Sequence, residues 1–278
     1  MTKTILSGML YTRQRTLLGV IKQLNAVGIA SRTYLMKTLF LLKQNELDIG
    51  YDFYPYNYGP FSKTVFWDLN YLKQETLIDG GEREITSKGE KEAKINEETV
   101  EKVNQIIKQF KNKKEITRYV YDKYPEFTEK SVLLGHEKIN ETGKYTIGYE
   151  KKSIDFFMNQ IIQNKITKLI DVRKNAFSMK RGFSKSVLKK TLEDAGIKYE
   201  HISELGIESD KRQKLETKED YEKLFKEYRK TLPKKQNELN YVNKAGENER
   251  IAIMCFEKDP SYCHRGQISD FVGGFEHL

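Results

Sequence analysis

Past Gly143 short apolar runs alternate with amphipathic segments of helical period, and that alternation restricts the fold more than any other feature of the chain. Tyr145-Thr-Ile-Gly-Tyr reads as a strand, residues 154–163 as a helix and Thr167-Lys-Leu-Ile-Asp-Val-Arg as a second strand, together a β-α-β unit. Residues 184–195 form another helix, ended by Gly196, and Ile197-Lys-Tyr-Glu-His returns as a third strand. An amphipathic helix follows over 221–232. Arg250-Ile-Ala-Ile-Met-Cys-Phe is the most apolar segment of this half, as a strand buried on both faces requires. The predicted fold class for 143–278 is α/β, Rossmann-like, with a mostly parallel sheet.

Parallel sheets bind ligands outside the carboxyl ends of their strands. The predicted strands end in Gly148, Tyr149 and Glu150; in Asp171, Val172 and Arg173; in Glu200 and His201, with Glu204 just beyond; and in Cys255, Phe256 and Glu257. Packing alone needs no acid, imidazole or guanidinium at these places, so the four ends are expected to converge on one polar cleft. Asp171, Glu257, Glu150 and His264 are the candidate catalytic groups, with Asp171 or Glu257 moving the proton and Arg173 and Arg265 clamping phosphate. The plainer alternative is a set of ion pairs that tie loops to helices. Gly148 permits close approach by a ligand or a neighbouring loop, or simply serves a turn.

Between Asp171 and Lys190, seven cations (Arg173, Lys174, Lys180, Arg181, Lys185, Lys189 and Lys190) face a single acid, Asp171. Phe177 and Phe183 interleave with them, a combination that grips a single strand or a flipped base by phosphate contact and stacking. Ser184 opens a helix whose first amides could hold a phosphate. In the alternative, the phenylalanines pack inward and the lysines stay solvated.

Cys255-Phe-Glu-Lys-Asp-Pro-Ser-Tyr-Cys-His-Arg reads as strand end, loop and helix start. Cys255 and Cys263 are candidate thiols: Cys263 could act as a nucleophile stabilised by His264, Arg265 and the helix N-terminus, and Cys255 as a small buried hydrophobe. Cys255, Cys263 and His264 could also supply three zinc ligands. Adjacent side chains rarely converge on one ion, however, and no second cysteine pair exists, so no metal and no cofactor are expected, zinc remaining the disfavoured option.

The first ninety residues follow another plan. Helical spacing over 11–24 (Leu17, Leu18, Ile21, Leu24), 31–42 and 61–73, followed by a strand, Gly80-Gly81 and a strand, makes a winged-helix-like α+β domain over 1–90. Pro55, Gly59 and Pro60 break the stretch Tyr51-Asp-Phe-Tyr-Pro-Tyr-Asn-Tyr-Gly-Pro-Phe-Ser and crowd its aromatics into a stiff loop. In recognition-helix geometry the third helix would enter a DNA major groove. It carries only Lys63 and Lys73 beside Phe66, Trp67 and Tyr71, so a protein partner or a homodimer face suits this aromatic region equally well. Residues 91–142 read as a helical connector, dense in Lys and Glu with a sparse apolar stripe (Val100, Val103, Ile106, Ile107, Phe110), and the boundary is expected over 130–142, near Gly135 and Gly143.

A formal net charge of +9 and a pI near 9.2 favour a polyanionic partner, and nucleic acid, DNA ahead of RNA, is the expected one. No run of about eighteen uncharged apolar residues and no secretory signal is present, so a cytoplasmic location without a membrane partner is expected. Two cysteines are too few for a disulfide framework.

Thr146-Ile-Gly-Tyr-Glu, Ile170-Asp-Val-Arg, Phe177-Ser with Gly182-Phe-Ser, Gly196-Ile-Lys-Tyr with His201 and Leu205-Gly, and then Cys255-x-Glu and Cys263-His-Arg resemble the prokaryotic family catalogued as domain of unknown function 488, over residues 145–272. The resemblance implies a Rossmann-like fold with those motifs forming the site, and no assigned activity. Ile-Glu-Ser after Leu205-Gly206 departs from the family's more glycine-rich continuation. The Asp-Val-Arg strand and Cys-His-Arg loop also resemble rhodanese-like sulfurtransferases, without their compact glycine-rich cradle. Over 11–89 the chain is similar to winged-helix-like regions of phage-associated and antitoxin proteins. The predicted function is a nucleic-acid-associated protein whose C-terminal domain binds, and could hydrolyse or modify, a nucleotide or base. The alternative is a winged-helix regulator whose α/β domain senses a ligand or engages a protein without chemistry.

Overall fold

Leucines at helical spacing bury one face of α1 (Thr12–Ala26) against α2 (Arg32–Gln44), which Ser31 caps by accepting from the Tyr34 amide. The computed structural model describes residues 9–79, 84–133, 141–213 and 215–278. The chain divides into two units, Met1–His136 and Glu137–Leu278.

In the first unit the Pro- and Gly-punctuated stretch forms a tight hairpin of β1 (Tyr54–Tyr56) and β2 (Gly59–Phe61), followed by α3 (Lys63–Gln74). A second short hairpin joins β3 (Ile78–Asp79) to β4 (Glu84–Ile85), and the Gly80-Gly81 turn between them lies outside the described residues. Then come α4 (Ser87–Glu92), α5 (Glu97–Gln109) and α6 (Lys113–Lys123). Asp68 of α3, fully buried, accepts from Arg13 Nε at 2.7 Å, Gln14 Nε2 at 3.1 Å and the Tyr51 hydroxyl at 3.1 Å. A charge that burial would penalise is thereby matched, and α3 is fastened to α1.

Two expectations change here. Residues 97–123 are not a solvent-bathed connector: Val103, Ile106, Phe110, Ile116 and Val120 belong to the same buried cluster as Leu17, Leu39 and Leu69, because the sparse stripe faces the core while the Lys and Glu face water. Most of the aromatic loop also turns inward. Tyr51, Phe53 and Tyr54 are buried, and Tyr58 stands exposed. Gly135, in the expected boundary, lies outside the described residues.

Among the described residues the second unit holds a five-stranded sheet in the order β7 (Lys198–His201), β6 (Lys168–Asp171), β8 (Arg250–Cys255), β5 (Gly143–Gly148), β9 (Phe275–His277), every pairing parallel. Its elements run β5 (Gly143–Gly148), α7 (Ile154–Gln163), β6 (Lys168–Asp171), α8 (Lys185–Asp194), β7 (Lys198–His201), α9 (Lys218–Thr231), α10 (Gln236–Asn248), β8 (Arg250–Cys255), α11 (His264–Val272) and β9 (Phe275–His277). The apolar run ending in Cys255 is indeed the central strand, with Ile251 through Cys255 buried. Phe225, Leu239, Val242 and Ile268 of α9, α10 and α11 pack on the face that carries Ile170, Val172, Ile253 and Cys255. Among the described residues no helix is long and apolar enough to cross a membrane.

Candidate functional site: a basic groove and two buried clusters at the strand ends

Strand pairing decides which side chains meet. Asp171 is paired with Met254 and Gly148 with Cys255, so Asp171 and Cys255, both at strand ends, project to opposite faces of the sheet. The expected single cleft is therefore replaced by two clusters, one on each face.

On the first face Asp171 is fully buried and Arg173 closes on it. Nε donates to Oδ1 at 2.8 Å, Nη2 to Oδ2 at 2.6 Å, and the Arg173 amide to Oδ1 at 3.1 Å. The Tyr199 hydroxyl donates to Oδ2 at 2.7 Å, and Arg173 Nη1 reaches the Tyr149 hydroxyl at 2.9 Å. Burial would lower the Arg173 pKa, but the Asp171 carboxylate overrides it and holds the guanidinium more firmly charged than usual. Tyr199 is pushed up by burial and by Asp171. Phe183, expected to stack on a base, is wholly buried and stacks on Tyr149 instead, at 4.3 Å between ring centroids and 10° between planes. Lys180 donates to the Tyr149 carbonyl at 3.0 Å, and burial pulls its pKa down against the pull of Glu150. Glu150 accepts from the Lys258 amide at 2.9 Å. Arg181 is exposed.

On the other face Cys255, Cys263 and His264 are buried, and their ligand atoms all lie within 4.8 Å of one another. Cys255 Sγ stands 3.7 Å from His264 Nδ1 and 3.5 Å from Glu257 Oε2. His264 Nε2 lies 2.8 Å from the Val172 carbonyl, so it carries the proton and Nδ1 is left with a lone pair. Burial, and Cys255 with it, push the Cys263 thiol up and His264 pulls the other way without reversing the shift, and the buried sulfur lacks the access that a nucleophile needs. Glu257 would be raised by burial, but Arg212, which pairs with it, brings it below the usual carboxylate range. Arg265 is no phosphate clamp: it is buried, and it donates to the carbonyls of Glu257 and, at 2.8 Å, Lys258. Gly148 is glycine because a Cβ there would stand 1.8 Å from the Glu257 carbonyl oxygen, so the loop that approaches it belongs to the protein itself.

Between α8 and the segment after β6 lies an open groove of about 980 Å³, lined in part by Lys174, Phe177, Ser184, Lys185, Lys189 and His201. Phe177 is 76% exposed. Ser184 is the N-cap of α8, and its hydroxyl donates to the Ser178 carbonyl, so the amides of Ser186 and Val187 in the first turn have no acceptor within the helix. His201 Nε2 lies 2.8 Å from the Arg173 carbonyl and Nδ1 lies 3.3 Å from Lys185 Nζ, two contacts that orient the ring.

From the sequence Tyr199 entered only as the last residue of the Gly196-Ile-Lys-Tyr motif, without a role, and Arg212 was not singled out. Tyr199 occupies the strand position next to Leu169, on the Asp171 face, a relation that only the register of β6 with β7 creates. Arg212 lies in the loop after Leu205-Gly206, where the departure from the family pattern was the available signal.

These features define a parallel-sheet α/β domain with a basic groove and a buried thiol–imidazole cluster at its carboxyl edge. Residues 153–272 match the family described as domain of unknown function DUF488. The match runs from the N-cap of α7 through α11 and takes in the groove, Asp171 and Arg173, and both cysteines; Thr146-Ile-Gly-Tyr-Glu lies ahead of it. No curated protein matches the chain.

Proposed function

We propose that the second unit binds nucleic acid, in single-stranded or unstacked form, in the groove beside α8. The observation that carries this reading is the groove itself: Lys174, Lys185 and Lys189 beside an outward-facing Phe177 and the open first turn of α8. Ammonium groups and helix amides suit phosphate, and an exposed phenyl ring suits a base face. The net charge of +9 favours the same class of partner at longer range.

Binding is a better account than turnover. Asp171 is sealed in its ion pair, Glu257 is held by Arg212, Glu150 by the Lys258 amide, and His264 is buried against Val172. Asp171, Glu257 and His264 are thus engaged within the protein, and Glu150 alone of the four is half-exposed. The first unit fits the same role as a winged-helix-like module, with α1 to α3 as its helices and β3 and β4 as its wing. Its third helix offers Lys63 and Lys73 alone as cations, so it contributes less to phosphate affinity than the groove.

Fluorescence anisotropy of the full chain with labelled single-stranded, double-stranded and RNA oligonucleotides tests this. Salt-dependent binding that prefers the single strand is expected. Equal indifference to all three probes at low salt would remove the reading.

A further inference from the structure

We propose that Cys255, Cys263, His264 and Glu257 form a metal-ion site for a thiophilic divalent cation, zinc above all, at the carboxyl edge of the central strand. Adjacent Cys263 and His264 converge because the helix begins between them: Cys263 is the extended N-cap, φ −133° and ψ 142°, and His264 is the first helical residue. The short 3-10 turn Pro260–Tyr262 brings the Cys263 amide onto the Pro260 carbonyl and returns the chain to the end of β8, over Cys255.

Two measured separations, both from Cys255 Sγ, match those around a tetrahedral ion. With about 2.3 Å to sulfur and about 2.0 Å to nitrogen or oxygen, ligand atoms stand about 3.6 Å apart. Cys255 Sγ lies 3.7 Å from His264 Nδ1 and 3.5 Å from Glu257 Oε2, and the ligand atoms of Cys255, Cys263 and His264 all lie within 4.8 Å of one another. Each non-sulfur donor also has the outer partner that metal ligands require. His264 places its Nε2 proton on the Val172 carbonyl, which fixes the tautomer and aims the Nδ1 lone pair at the thiols. Glu257 gives Oε1 to Arg212, leaving Oε2 for the ion.

The charges close as well. Two thiols lose their protons to solvent as the dication binds, so two thiolates, one carboxylate and the ion sum to a single negative charge, which the Arg212 guanidinium offsets. A donor set of two sulfurs, one imidazole and one carboxylate selects zinc over magnesium or calcium, which take oxygen ligands. Packing alone would fill this place with aliphatic side chains and would not need the oriented imidazole or the paired carboxylate.

The test is metal content of the full chain purified without chelator, followed by cobalt(II) titration of the reduced, demetallated protein. About one zinc per chain and a thiolate-to-cobalt charge-transfer band are expected. Cys255→Ser and Cys263→Ser should abolish the band, and Arg212→Ala, which spares all four ligands, should weaken cobalt binding 10- to 100-fold. Should the serine variants fail to fold, thiol alkylation of the wild-type protein decides: both cysteines are expected to resist until chelator is added. Substoichiometric metal with no charge-transfer band, a band unchanged in Cys263→Ser, or recovery of the two cysteines as a disulfide overturns the site.

Discussion

Arg173 folds back on Asp171, two residues earlier in the chain, through a bidentate pair of 2.8 and 2.6 Å, and the two are almost entirely removed from water. A pair of this kind is expensive to break and cheap to replace, since removing one partner strands the other charge in the interior. Asp171→Leu and Arg173→Met should each cost about 3–5 kcal/mol, whereas the two together should cost clearly less than the sum. Urea unfolding of the three variants measures this. Additive losses would mean that the pair is not a unit.

Gly148 makes a second structural prediction. Its would-be Cβ meets backbone rather than a flexible side chain, 1.8 Å from the Glu257 carbonyl oxygen and 2.7 Å from its carbonyl carbon. Gly148→Ala must displace the loop that Arg265 holds, and should cost about 3 kcal/mol, the upper end for overpacking. Gly196→Ala is the contrast: no atom lies near its Cβ position, so the cost comes from its φ of 74° alone. Thermal unfolding of both variants separates crowding from backbone strain.

What the sequence disclosed follows from what periodicity encodes. Helix α7 stands at 154–163, as predicted, because Phe157, Met158, Ile161 and Ile162 repeat at helical spacing. Helix α10 escaped notice because its buried face is Leu239, Val242, Ala245 and Gly246, two of them small, amid asparagine and charge. The strand ends were legible as polar, but the face that each residue chooses was not. That depends on the register Asp171 to Met254, a tertiary relation absent from composition and motif alike. For the same reason the convergence of Cys255 with Cys263 and His264, disfavoured from the sequence because the last two are adjacent, could not be decided without the turn over Pro260.

Lys37 gives the first unit a pH signature. Its side chain is almost wholly buried, its Nζ donates to the Tyr58 carbonyl at 2.7 Å, and burial lowers its pKa from 10.5 to about 8. Between those two values the unfolded chain holds a proton that the native protein lacks, so this residue's contribution to stability improves as pH rises through the interval. Wild-type protein should gain on the order of 3 kcal/mol relative to Lys37→Met between pH about 7.5 and about 10.5. Urea titrations of the two proteins at each pH check the sign, and parallel pH profiles would contradict it.

The groove separates its two kinds of interaction by mutation. Lys185 and Lys189 are exposed and line it, so Lys185→Glu and Lys189→Glu should weaken binding to every sequence alike and reduce the salt slope by about one for each phosphate that no longer meets a lysine. Phe177 is the exposed ring of that wall, and Phe177→Ala should remove about 1–3 kcal/mol of single-strand affinity while leaving the salt slope intact, because stacking releases no counterions. Phe183→Ala is the internal control: its ring lies against Tyr149 and Phe157, so it should lower stability rather than touch the ligand. Anisotropy titrations at several salt concentrations distinguish the three. If Phe177→Ala changed the slope and Lys185→Glu did not, the assignment of stacking and phosphate binding within this groove would be wrong.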